Sequence, residues 1–151
     1  MSFIKAVSSL PSQRGIPSRI IYDSLGISQQ LLSHWIKRGW IRPSIRVGRR
    51  GNTKACGALW SFYDVLDIKT ILGLRRAGLS MHKVVKVIKW LRENGHALHS
   101  ANLATDGENV FINLNEQALE IVKATGQLIL LDWTTIVKHC LDLLEQKGVD
   151  I

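Results

Sequence analysis

The sequence predicts an α+β chain: four helices with a two-stranded hairpin between the second and third, then a small antiparallel sheet closed by one terminal helix. Three observations predict it. Apolar residues recur at helical spacing from residue 19 to residue 38 and again from 65 to 91. A stretch rich in glycine and punctuated by proline, residues 40–59, separates those two runs. Beyond Gly95 the pattern shortens to β-prone runs alternating with turn residues, up to a last amphipathic segment.

Taken in order, residues 1–17 are aperiodic and carry Ser, Pro and Gly, which predicts a flexible basic arm. Residues 19–25 form a short helix that stops at Gly26. Ser28 then caps a second helix running to about Arg38 and closed by Gly39. Between residues 40 and 59, Pro43, Gly48, Gly51 and Gly57 flank two β-prone pieces, 45–47 and 58–60, the pattern of a hairpin around a long loop. Ser61 followed by Asp64 resembles a capping box, with Asp in place of Glu or Gln. Val65, Ile68, Ile71 and Leu72 continue that helix to Ala77, where Gly78 breaks it. Ser80 caps the next one, whose apolar stripe is Met81, Val84, Val85, Ile88 and Leu91.

After Gly95, residues 110–112, 119–122 and 128–131 read as strands separated by turns at Asp106-Gly107 and Thr125-Gly126. Asp132 or Thr134 caps a final helix with an apolar face of Ile136, Val137, Cys140, Leu141 and Leu144. The expected organisation is therefore an arm (1–17), a helical domain with a hairpin (18–95) and a β-rich subdomain with a C-terminal helix (96–151).

Charge divides the chain in the same place. Residues 1–95 carry 17 basic and 4 acidic side chains, a net of +13, while residues 96–151 carry 3 and 8, a net of −5. The basic part is expected to attract a polyanion by releasing its counterions. No apolar run approaches the ~20 residues needed to span a membrane, and the N-terminus lacks the apolar core of a signal peptide. Cys56 and Cys140 are too few for a disulfide framework, which points to a reducing cytoplasm.

Leu25-Gly26-Ile27-Ser28, followed by Leu32 and Trp35-Ile36, is a helix-turn-helix pattern. Its second helix has an apolar side, Leu31, Leu32, Trp35 and Ile36, and a hydrogen-bonding side. Gln29, Gln30, Ser33, His34 and Lys37 on that outer side suit base readout in a major groove. Arg42, Arg46, Arg49, Arg50 and Lys54 follow in a Gly-rich segment without one acid between Gly39 and Ser61. Flexible backbone carrying five cations suits phosphates or a minor groove. Arg19, Arg38, Arg75 and Arg76 complete the expected backbone contacts.

With those residues in place, residues 21–91 resemble the DNA-binding domain of the MerR family of bacterial transcription regulators. The resemblance runs through Gly26-Ile27-Ser28, Leu32, Trp35, Gly39, Pro43, Arg46, Trp60-Ser61 and Asp64-Val65. It continues in Leu74-Arg75-Arg76-Ala77-Gly78-Leu79-Ser80 with Val84, Val85 and Ile88. It implies a winged helix-turn-helix whose second helix enters the major groove. Arg46, Arg49 and Arg75 would then meet the DNA backbone. Three positions depart from the family pattern: Tyr22 stands where a small residue is usual, Ser33 where an Arg is common, and Gly57-Ala58 where the wing has Tyr-Arg. The loop 47–56, with Arg49, Arg50 and Lys54, would replace the missing contacts. Beyond Gly95 there is no sustained heptad for the long dimerising helix that typical members carry.

Other chemistry is set aside. His96 and His99 have a ligand-like spacing, but nothing nearby completes a metal site. Cys140 and His139 are adjacent on a helix and so point apart, and Cys140 reads as a buried structural thiol. Trp35, Trp60 and Trp90 occupy packing positions. With no phosphate-binding Gly loop and no catalytic triad, no enzyme, no cofactor and no metal are expected. So small a C-terminal region leaves little room for a ligand pocket. The expectation is a cytoplasmic, nucleoid-associated homodimer that binds double-stranded DNA, with a possible protein partner at its acidic subdomain. Two alternatives are an antitoxin-like adaptor whose C-terminal subdomain blocks another protein, and a phage or plasmid factor that bends DNA.

Overall fold

A computed structural model describes residues 15–48, 55–122, 128–146 and 148, with the backbone alone for residues 128–132. The residues before 15, the cations Arg49, Arg50 and Lys54, and the turn expected at Thr125-Gly126 lie outside the described residues. The described part is mixed, with five helices and two small antiparallel sheets. The order is β1 (Ile16–Pro17), α1 (Ser18–Leu25), α2 (Gln29–Lys37), β2 (Leu59–Trp60), α3 (Phe62–Arg76) and α4 (Met81–Glu93). Then come β3 (Leu103–Thr105), β4 (Val110–Leu114), β5 (Gln117–Glu120), β6 (Leu128–Asp132) and α5 (Trp133–Gln146). Two compact units divide the chain after Lys69, inside α3.

In the first unit the helix pair α1–α2 is set by its caps. Gly26, in the left-handed region, donates its N–H to Tyr22 O at 2.9 Å and ends α1. Ser28 Oγ accepts from Leu31 N at 3.1 Å and starts α2, a cap worth about 1 kcal/mol. At the other end Gly39 N–H reaches Ile36 O and Trp40 N–H reaches Trp35 O, both at 3.0 Å. That pair of bonds is a Schellman closure, and it needs the positive φ of Gly39. Ile21, Leu25, Ile27, Leu32, Trp35 and Ile36 are buried. Leu31, assigned to the apolar side from the sequence, is instead 41% exposed: it lies at the margin of the stripe.

Residues 16 and 17, expected as the end of a flexible arm, are a strand. Ile16 and Pro17 pair antiparallel with Trp60 and Leu59 as a two-stranded sheet. Gly15 precedes them because a Cβ there would come within 2.9 Å of Leu59 Cβ. Leu59 also bridges Arg46: Leu59 N–H donates to Arg46 O at 2.9 Å, and Arg46 N–H returns the bond at 3.1 Å. Among the described residues the expected strands at 45–47 and 58–60 thus meet at the isolated Arg46–Leu59 bridge, with Ile45 N–H also donating to Leu59 O at 3.3 Å, and β2 has β1 as its regular strand partner. Ser61 and Asp64 form the expected capping box, Asp64 N–H to Ser61 Oγ at 3.1 Å and Ser61 N–H to Asp64 Oδ2 at 2.9 Å. The same Oδ2 accepts from Ser44 N and Ser44 Oγ, tying the preceding loop to the start of α3.

In the second unit a Schellman closure at Gly78 ends α3, and Ser80 Oγ caps α4 by accepting from Lys83 N. Arg75 Nη1 donates to Leu79 O at 2.8 Å and fixes the connection. The buried stripe of α4 is Val84, Val87, Ile88 and Leu91. Val87 replaces the expected Val85, which is only half-buried.

The sheet is a meander, β3-β4-β5-β6, antiparallel throughout. Its first strand, β3, carries no sequence signal strong enough to have been read. Asp106 organises the β3–β4 turn, its Oδ1 accepting from Glu108 N and Asn109 N at 2.9 and 2.7 Å. Asn115 and Glu116, both at positive φ, make the two-residue β4–β5 hairpin loop. The pairing of β5 with β6 shifts register between Gln117 and Leu119. Phe111, Ala118, Ile136 and Cys140 pack as the core under α5, with Ala104 and Trp133 against them. Leu141, assigned to that apolar face, is 45% exposed.

Candidate nucleic-acid interface

Leu32, Trp35 and Ile36 are buried, while Gln29, Gln30, His34 and Lys37 stand exposed on α2. His34 and Arg38 are held by a residue not foreseen as part of the site. The Trp40 ring meets the His34 ring edge-on at 5.6 Å, and the Arg38 guanidinium stands 5.6 Å from the centre of the same indole. The Schellman closure that ends α2 is what brings Trp40 back beneath them.

Ser33 differs from its neighbours. It is half-buried, and its Oγ accepts the N–H of Ala55 at 3.1 Å. Ala55 is fully buried, and its carbonyl accepts from Ser18 Oγ at 2.6 Å and from Ala58 N at 3.1 Å. Ser18 Oγ in turn accepts Trp60 Nε1–H at 2.9 Å. Gly57, in the turn so held, offers its carbonyl to the Arg46 guanidinium, Nη2 at 3.1 Å and Nε at 3.3 Å.

A groove of about 380 Å³ opens beside this turn. Arg19 of α1, Gln29 at the start of α2 and Arg46 line it, over Tyr22, Ala58 and Leu59. Burial pushes the Tyr22 phenol above its ordinary pKa, so it is a neutral wall at physiological pH. Two cations and an amide donor around one concave surface, with no Asp or Glu among the described residues that line it, suit an anion such as a phosphodiester.

Of the expected contacts, then, the groove brings together Arg19, Gln29 and Arg46, and the Trp40 ring brings together His34 and Arg38. Gln30, Lys37 and Arg42 are exposed without a partner in common. Arg75 and Arg76 are exposed at the end of α3 in the second unit, Arg75 with one N–H on Leu79 O. Trp40, Ser18 and the Gly57 carbonyl escaped sequence reasoning. Nothing in a local pattern marks a ring or a carbonyl that acts through a turn.

The second unit has its own cavity of about 340 Å³, beside Asp106, Asn109, Glu120 and His139. The C-terminal region therefore has more room than its length indicated. Cys140 is buried as expected, and burial, followed by the Asp106 charge, raises its thiol to a pKa of about 11. His96 stacks flat on Trp90 at 5.8 Å, a helix-end contact. Among the described residues no group of His, Cys, Asp or Glu is arranged to hold a metal ion, and no helix is long and apolar enough to cross a membrane.

The chain is 30% identical over 87 residues to an uncharacterized HTH-type transcriptional regulator of Mycobacterium bovis. It matches proteins of the same description in two strains of Mycobacterium tuberculosis equally well. The match takes in 57% of this chain and 37% of each relative, so the chain spans little more than a third of the length of the curated relatives it matches. No family model and no solved structure matches the chain. The relatives carry the names of transcriptional regulators, not of enzymes.

Proposed function

We propose that the protein is a sequence-specific double-stranded DNA-binding transcription regulator, built on a MerR-like winged helix-turn-helix. The observation that carries this reading is the first unit's pairing of an exposed polar helix face with a cationic groove next to it. In this reading α2 enters the major groove, where Gln29, Gln30, His34 and Lys37 meet base edges. Arg19, Arg38, Arg42 and Arg46, with Arg49, Arg50 and Lys54, meet phosphates or the adjacent minor groove, and Arg75 and Arg76 meet phosphates of their own. The description of the relatives as HTH-type regulators supports it. Residues 18–95 would form the DNA-binding domain. The net −5 of residues 96–151 favours a role away from DNA, as the contact between two copies or the surface for a protein partner. A two-fold dimer would read a roughly palindromic site in the bacterial cytoplasm, at the nucleoid.

Selection of bound sequences from random duplex DNA, with affinity then measured across salt, tests the proposal. An enriched motif and a steep salt slope are expected. No enrichment with a shallow slope would sink it, and a steep slope without enrichment would favour architectural binding. Lys37→Ala is expected to weaken binding and relax base preference, whereas Arg46→Ala and Arg49→Ala weaken all sequences alike.

A further inference from the structure

We infer that Ser33 is a positioning residue: its hydroxyl fastens the segment that leads into β2, at Ala55, to α2, and so sets where the Arg46 guanidinium stands in the groove. Ser33 was grouped with the base readers because it shares a helix face with Gln29, Gln30 and Lys37. Its hydroxyl, however, is already engaged by the Ala55 N–H at 3.1 Å, in a half-buried position. Moving that oxygen toward a base edge would strand the buried Ala55 amide, so the hydroxyl is held where it is.

Ala55 is clamped on both sides of its own residue. Ser33 of α2 takes its N–H, and Ser18 of α1 supplies the O–H to its carbonyl, at 2.6 Å. Ser18 is itself fixed by Trp60 Nε1, so one run of hydrogen bonds joins both helices, Ala55 and β2. The turn that leaves Ala55 closes through Ala58 N–H on Ala55 O, and between them the Gly57 carbonyl receives two N–H groups of Arg46. Releasing Ser33 therefore removes the attachment to α2 of the turn that holds Arg46 and leaves the one to Ser18 of α1. A side chain that reads no base thereby controls how a phosphate-facing cation is set relative to the reading helix. The consequence for DNA rests on the proposed duplex binding; the clamp itself does not.

The test uses the full chain and two isosteric variants, Ser33→Thr and Ser33→Val, which differ only in the hydroxyl, beside Ser33→Ala. Amide exchange at Ala55, followed by NMR, is expected to quicken at least about tenfold in Ser33→Val and Ser33→Ala and to stay near wild type in Ser33→Thr. Affinities for the selected and a random duplex are expected to fall by the same factor, about threefold to tenfold, in the two variants that lack the hydroxyl. Adding Arg46→Ala to Ser33→Val should cost much less than Arg46→Ala alone, because the two act as a unit. Unchanged Ala55 exchange in Ser33→Val overturns the inference. So does a loss confined to the selected duplex, which would make Ser33 a base reader, and so does full additivity with Arg46→Ala. If the wild type binds neither duplex, the regulator proposal fails, and Ala55 exchange still decides the clamp.

Discussion

The two units are stabilised by different means. In residues 15–69 the pieces between helices are short, irregular and polar, and they are tied down by individual hydrogen bonds: the buried bonds of Ser18 to Ala55 and Trp60, the part-buried bonds of Ser33 to Ala55 and Asp64 to Ser61, and the exposed bond of Asp64 to Ser44. In residues 103–146 a regular meander supplies its own backbone pairing, and its core is a face of Phe111, Ala118, Ile136 and Cys140. The difference teaches where each can vary. An apolar face tolerates exchange at constant volume, whereas a relay of single bonds fails at any one member, because each loss strands a buried partner. The groove lined by Arg19 and Arg46 belongs to the unit built by the exacting method.

The largest effect should come from the apolar unit. Phe111→Ala is expected to cost about 3–5 kcal/mol, the sum of lost burial and a cavity under α5, read from urea unfolding. A cost under about 1 kcal/mol would mean that the cluster does not hold this unit together.

Next comes pH. The Cys140 thiol has a folded pKa of about 11 against an ordinary 9.0, so the folded state holds its proton more tightly than the unfolded one. Its contribution is whole below about pH 9 and is lost as pH rises through 11, up to about 2–3 kcal/mol. Unfolding curves of wild type and Cys140→Ala should therefore converge across that window, and parallel curves would refute the burial of this thiol.

Within the first unit Ser18→Ala is expected to cost about 1–3 kcal/mol, because it leaves Trp60 Nε1 without an acceptor inside the fold. Near-UV circular dichroism of the tryptophans should change with it. A silent substitution would break the contrast between the units, since the relay would then be ornamental. The smallest effect is expected at Ser28. Ser28→Ala removes one exposed cap and should cost about 1 kcal/mol in thermal unfolding, with Ser28→Asp restoring most of it.

How much of this was legible beforehand follows from the range over which each signal acts. Helices, caps and their closing glycines are written within four or five residues, so Ser28, Ser80, Gly39 and the Ser61–Asp64 box were all readable. The β4–β5 turn was not, because Asn115-Glu116 lacks the glycine that usually marks a loop with two positive φ angles. β1 was missed because two residues ending in proline have no period of their own. Only the presence of Leu59 and Trp60, more than forty positions away, makes them a strand.

The sequence by itself determined the α+β order, the exposed polar face of α2 and the uneven distribution of charge, since periodicity and composition are local sums. Tertiary structure alone decided that Ser33 turns inward to Ala55, that Trp40 gathers His34 and Arg38, and that Arg19, Gln29 and Arg46 share one groove. The physical reason is that a side chain's hydrogen-bond partner is chosen by proximity after folding. Residues 33 and 55 carry no mark of each other until the fold has brought them within a hydrogen bond.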